Sequence, residues 1–147
     1  MRMVALLAGL SIAAAIILPA AADDSKKADS EPGTHVEMPY LIAPLASGDT
    51  LLAYAYISCI ITASSPAAAM DIRGRIAFIQ DAFVRDVNMS SIGKATDPKT
   101  VDATTLTARL LADAQKATKP GLVVGLKLIQ IQIRPLRPDA QQPDGPS

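Results

Sequence analysis

Acid–base and nucleophilic chemistry need a reactive side chain with a second group that orients or activates it. The chain of 147 residues holds one histidine, His35, and one cysteine, Cys59. His35 closes the polar stretch DDSKKADSEPGTH. A lone histidine with no second ligand at metal spacing reads as a solvent-facing side chain. Cys59 lies inside an apolar run and has no partner for an intrachain disulfide, so it reads as core filler; a reactive thiolate needs exposure and a nearby cation. The serines have no base nearby in sequence, and neither a glycine-rich phosphate loop nor a metal-ligand spacing occurs. Asp71, Asp81 and Asp86 read as charges on a helix surface. These residues point away from an enzyme and imply no cofactor and no metal. With 14 basic against 14 acidic residues, the chain also lacks the clustered cationic excess that nucleic-acid binding requires.

What remains is the chemistry of protein contacts. Phe78 falls, at 100° per residue, well away from the apolar stripe of its helix, with Gly74 and Ala82 one turn before and after it and Arg75 and Arg85 close by. A glycine inside a helix costs about 1 kcal/mol against alanine, so Gly74 suggests a close approach there. Two readings compete. In one, a second helix of the same chain covers the patch through Leu106, Leu110 or Leu111. In the other, Gly74, Phe78 and Ala82 form a shallow groove for a neighbouring protomer, and Arg75 and Arg85 supply rim contacts to acidic partners.

The element that positions this patch is SPAAAMDIRGRIAFIQDAFVRDVNMSSIG, Ser65 to about Gly93. Ser65 can accept a bond from the first turn, and Pro66 suits the first helical position. Ala69, Ile72, Ile76, Ile79, Phe83 and Val87 recur at steps of three and four, forming one apolar stripe. Asp71/Arg75 and Asp81/Arg85 are acid-first pairs four apart. Gly93 is a plausible stop. The spacing thus predicts one long helix.

Two strands precede it. VEMPYLIAPLA (36–46) is apolar but carries Pro39 and Pro44, so it reads as an edge strand or a strand broken by bends. Ser47-Gly48-Asp49 is a turn. TLLAYAYISCIITA (50–63) alternates a small apolar face (Ala53, Ala55, Ile57, Cys59, Ile61) with an amphipathic one bearing Tyr54 and Tyr56. Ile76 and Ile79 are expected to pack on the small face. Downstream, Asp102 caps a second helix, Ala103 to about Lys119, with Ala103, Leu106, Leu110, Ala114 and Ala117 on one face. The last strand, LVVGLKLIQIQIR (122–134), changes hydrophobic parity near Leu128/Ile129, which a β-bulge there would reconcile. The order β-β-α-α-β predicts an α+β domain with a small antiparallel sheet of about three strands under the helices.

The ends read as addresses and spacers. MRMVALLAGLSIAAAIILPAAADD has a basic start, an apolar run, a breaker at Pro19 and small residues at Ala20 and Ala22, the layout of a secretory signal (1–22). The same run is long enough to stay as a membrane anchor. Either way residue 23 onward lies outside the cytoplasm. Residues 23–35 read as a flexible linker, 36–134 as the domain, and the proline-rich 135–147 as a disordered tail.

The segments MPYLIAPLA (38–46), LLAYAYISCII (51–61), DIRGRIAFIQDAFVRDVN (71–88) and LVVGLKLIQIQI (122–133), in this order after an apolar amino terminus and a polar linker, resemble the FliL family of flagellar basal-body-associated proteins. The resemblance spans residues 36–134. It implies a ring-forming extracytoplasmic domain near the flagellar stator, with self-association and stator or basal-body proteins as partners, and a stomatin-type fold. From the residues alone, a small periplasmic binding or adaptor domain using the face with Tyr54 and Tyr56 stays open beside it.

Overall fold

The computed structural model describes residues 33–136. The signal or anchor (1–22), the linker up to residue 32 and the tail from residue 137 lie outside the described residues. Elements run in the order β1 (His35–Glu37), β2 (Leu41–Ser47), β3 (Thr50–Ala63), α1 (Pro66–Arg73), α2 (Ile76–Met89), α3 (Ala103–Ala117) and β4 (Val123–Pro135). The fold is α+β, a four-stranded antiparallel sheet with helices.

β3 is the central strand. Its Ile57 pairs with Leu41 of β2 on one side and Ile131 of β4 on the other, and its Ile61 pairs with Val36 of β1 and Leu126 of β4. β1 and β2 are therefore two pieces of one edge, separated at Met38–Tyr40, and the sheet is three strands deep. Pro39 explains the break, since it has no N–H for the ladder. Met38 still donates its N–H to the Cys59 carbonyl at 3.1 Å. Pro44 is accommodated within β2. Ser47 pairs with Thr50 around Gly48, whose φ of 57° is the left-handed conformation this tight turn needs. The linker ends sooner than expected, because Thr34 is buried and His35 opens β1. Pro135 belongs to β4 rather than to the tail, and Leu136 donates to the Leu52 carbonyl.

The parity change in β4 is resolved as the spacing predicts. Ser58 faces Gln130 and Cys59 faces Leu128, so Ile129 is an extra residue without a partner. Leu126, Leu128, Ile131 and Ile133 thereby all stand opposite the small-face residues of β3, from Ile61 to Ala55, while Ile129 is left exposed. Val124 is a second extra residue of the same kind.

The long helix is two helices. α1 has eight residues and α2 fourteen. Ser65 caps α1, its hydroxyl accepting from Ala68 N–H at 3.0 Å, and Pro66 takes the first position. Gly74 then ends α1, donating to the Met70 carbonyl, and Arg75 donates to Ile72 three residues back. Arg75 has φ −117° and ψ 9°, outside the helical basin. The kink matches the broken sheet edge: α1 packs on β3 and β1, whereas α2 packs on β2 and α3. Two straight segments follow a bent edge where one straight helix could not. The apolar stripe survives, with Ala69, Ile72, Ile79, Phe83 and Val87 buried and Ile76 only half-buried. α2 as a whole packs on β2, while Ile76 at its start lines a surface hollow with Val36 of β1 and Ile60 of β3. α2 stops at Met89, short of Gly93. Gly93 has another role: a Cβ there would sit 2.7 Å from the Pro98 carbonyl oxygen, so the loop closes only on glycine.

Asp102 caps α3, accepting from Thr105 N–H at 3.1 Å. Leu106, Leu110 and Ala114 are buried and Ala117 half-buried, whereas Ala103 is exposed at the first turn. All helices lie on the small-residue side of the sheet. Alanines at Ala53, Ala55 and Ala63 let them approach closely, and Ile57, Ile61, Phe83 and Leu110 fill the core.

Candidate functional site

α2 and α3 meet at a groove of about 530 Å³. Arg75, Phe78, Ala82 and Arg85 of the patch read from the sequence all line it, joined by Met89 from the last turn of α2. α3 contributes Asp113, Lys116 and Ala117 to the other wall. Gly74 does not line it. It is exposed at the junction of α1 and α2, and a Cβ on it would meet only carbonyls of its own turn at 3.4 and 3.8 Å. Its backbone, at φ −65° and ψ −13°, is ordinary right-handed helix, and the departure from helical geometry falls on Arg75.

Phe78 is 67% exposed and Met89 83%. The second helix therefore does not cover the patch: Leu106 and Leu110 point into the core, and the α3 residues facing Phe78's groove are small or charged. An aromatic ring left this open beside a concave apolar strip has the composition of a contact surface.

The groove's end is held by one side chain that sequence spacing did not single out. Arg109 of α3 donates to the carbonyls of Asp86 at 3.1 Å, Ser90 at 3.1 Å and Ser91 at 2.8 Å. Its Nη2 also stands 2.7 Å from Asp86 Oδ2. The Asp86 carbonyl already accepts from Ser90 N–H at 3.0 Å, while Ser90 and Ser91 lie just past the last turn of α2, where a cation is favoured by free carbonyl oxygens and by the helix dipole. Asp86 is thereby not a plain surface charge: its side chain is 21% exposed. The only advance signal is a positively charged residue mid-way along an otherwise apolar and small α3 face, which does not reveal its target 23 residues upstream.

Burial and the nearby Asp86 push the Asp113 carboxyl above the usual carboxylate range, against the weaker pull of Lys116 and Arg109. Its Oδ2 is buried without a hydrogen bond. Across the groove Asp81 and Arg85 form the expected four-apart pair. Asp71 and Arg75 do not, because the kink at Gly74–Arg75 takes them off a common helix.

The other candidate residues behave as isolated side chains. Cys59 is buried, and burial pushes its thiol up to about 11, so at neutral pH it is protonated and unreactive. His35 sits in β1 with its carbonyl accepting from Arg73 at 3.1 Å. Tyr54 and Tyr56 lie on the helix-free side of the sheet, Tyr54 38% exposed and Tyr56 half-buried. Among the described residues no group of His, Cys, Asp and Glu is placed to hold a metal ion.

Comparison with protein families and with curated proteins returned no match.

Proposed function

We propose that the chain is a non-enzymatic, FliL-like protein of the bacterial envelope that works by protein contacts near the flagellar motor or stator. The groove between α2 and α3 is the observation that carries this reading. It offers an exposed aromatic, a methionine and a two-sign ionic rim, the residue types enriched at protein interfaces. The strand and helix order of the domain is in keeping with the family resemblance. Residues 1–22 deliver the domain to the periplasm, after cleavage or as an inner-membrane anchor. Its partners are other copies of the chain and stator or basal-body proteins.

Photo-cross-linking in the native cell tests it. A photoreactive residue at Phe78 is expected to capture a flagellar motor protein, whereas one at Met70, equally exposed but outside the groove, captures none. The second reading, an adaptor unrelated to flagella, draws on the open side of the sheet, where Ile42, Tyr54 and Ile129 are 50%, 38% and 52% exposed. Capture at Tyr54 and not at Phe78 would favour it.

A further inference from the structure

The chain has one asparagine, Asn88, and it stands in the run Asp86-Val87-Asn88-Met89-Ser90. An asparagine followed two residues later by serine, with no proline between, is an acceptor for N-linked glycosylation in exported chains. Asp86, two residues before it, completes the acid-x-Asn-x-Ser form that bacterial oligosaccharyltransferases accept. A motif this short also occurs by chance, so its structural setting decides.

Asn88 is the last residue but one of α2, and Ser90 after the helix is already extended, at φ −134° and ψ 133°. Asn88, Met89 and Ser90 are all exposed. The Asn88 side-chain amide donates to the Val84 carbonyl at 2.7 Å. A primary amide has two N–H groups and a glycosylated one keeps one, so a donor for Val84 remains. Asn88 does not line the groove, and a glycan there stands beside its Met89 end without filling it.

Arg109 sets the timing. In the folded domain it holds the Asp86 carboxylate and the Ser90 and Ser91 carbonyls, strapping both flanks of the acceptor to α3. A transferase needs the acceptor in extended chain. Arg109 follows Asp86 by 23 residues, so in a chain exported amino end first the acceptor passes before the strap arrives.

We infer that Asn88 is an N-glycosylation site, modified during export before α3 docks, with an oligosaccharide linked to polyprenyl pyrophosphate as the donor. Asn88 Nδ2 bonds to C1 of the first sugar while the bond from C1 to the pyrophosphate oxygen breaks. The pyrophosphate leaves with the electron pair, and the nitrogen gives one proton to a base of the transferase. The inference rests on delivery of the domain outside the cytoplasm and adds a covalent feature to it.

Trypsin isolates the site by cutting after Arg85 and Lys94. In chain purified from the native cell envelope, mass spectrometry is expected to find the peptide 86–94 heavier by one oligosaccharide. The increase should vanish in Asn88→Gln and in Ser90→Ala and persist in Ser90→Thr, which keeps the hydroxyl. Asn88→Gln should leave circular dichroism and chemical denaturation unchanged, so that loss of the glycan is not loss of the fold. Folded chain exported in a host lacking the transferase, then given transferase and donor, should be modified more slowly than its Arg109→Ala variant. An exported chain with an unmodified peptide, or a mass increase that survives Ser90→Ala, would overturn the site. Equal rates for the folded chain and Arg109→Ala would overturn the timing. An unmodified exported chain whose position 78 captures a motor protein removes the glycan and keeps the flagellar reading. A glycosylated chain that captures none does the reverse, and a chain confined to the cytoplasm overturns both.

Discussion

Phe83 and Phe78 are five residues apart on one helix, and they have opposite fates. Phe83 is fully buried and Phe78 is 67% exposed. Five steps of 100° put them well apart around α2, so one faces the sheet and the other the groove. The difference is made by what stands opposite. Toward the sheet, α2 meets β2, whose Leu41 and Leu45 belong to the core cluster. Toward the groove it meets Asp113, Lys116 and Ala117, which are too short or too polar to cover a ring. Two phenylalanines thus have two settings: one is buried in the core, and the other is left open at the groove.

The largest expected effect separates those settings directly. Phe83→Ala should lower unfolding free energy by about 3–5 kcal/mol, through lost transfer energy and a cavity, in chemical denaturation. Arg109→Ala comes next. It leaves the Ser90 and Ser91 carbonyls and the Asp86 carboxylate without the Arg109 donor, and a loss of about 1–3 kcal/mol is expected for these partly buried groups. The same variant should loosen the α2 terminus, read as faster amide exchange at Ser90 and Ser91. Phe78→Ala, by contrast, should shift monomer stability by no more than about 0.5 kcal/mol, as for other exposed sites. A loss near that of Phe83→Ala would erase the contrast between the two faces.

The smallest effect is electrostatic and sharpens the groove side. The Asp113 carboxyl is raised in the folded chain, so the folded state binds its proton more tightly than the unfolded state does. Its contribution to stability is full below the unfolded pKa and is lost as pH rises through the raised folded value. Asp113→Asn should therefore make the dilute monomer slightly more stable than wild type at neutral pH. The gap should close on acidification, in melts recorded from pH 7 to pH 3. A gap that widens as pH falls would mean that the carboxylate is stabilised in the groove, not penalised.

Much of this architecture is legible in the residues because local rules govern it. Ser65 and Asp102 accept from the first-turn N–H groups that the capping rule assigns them. β3 spans Thr50–Ala63 as its alternation requires, and the mismatch in the last strand marks the bulge at Ile129. These features depend on neighbours in sequence or on a period of two, both of which are written in the chain. The kink at Gly74 escaped because steps of three and four continue an apolar stripe through a single tightened turn as well as through a straight helix. Arg75, Phe78, Ala82 and Arg85 could be placed on one face by helical geometry alone, but Gly74 shares that face only if the helix is unbroken.

The sequence by itself determined which residues face together: the buried stripe, the small face of β3, and the row from Arg75 to Arg85. Which of these faces is covered was decided only in three dimensions. The broken edge at Pro39 sets where α1 and α2 must part, and the fold of the loop around Gly93 returns α3 beside α2 with Arg109 on its terminus. Periodicity reports the side of an element on which a residue lies. Burial depends on the side chains of another element, distant in sequence, and here the ones that arrive beside Phe78 are an alanine, a lysine and an aspartate that leave the ring open.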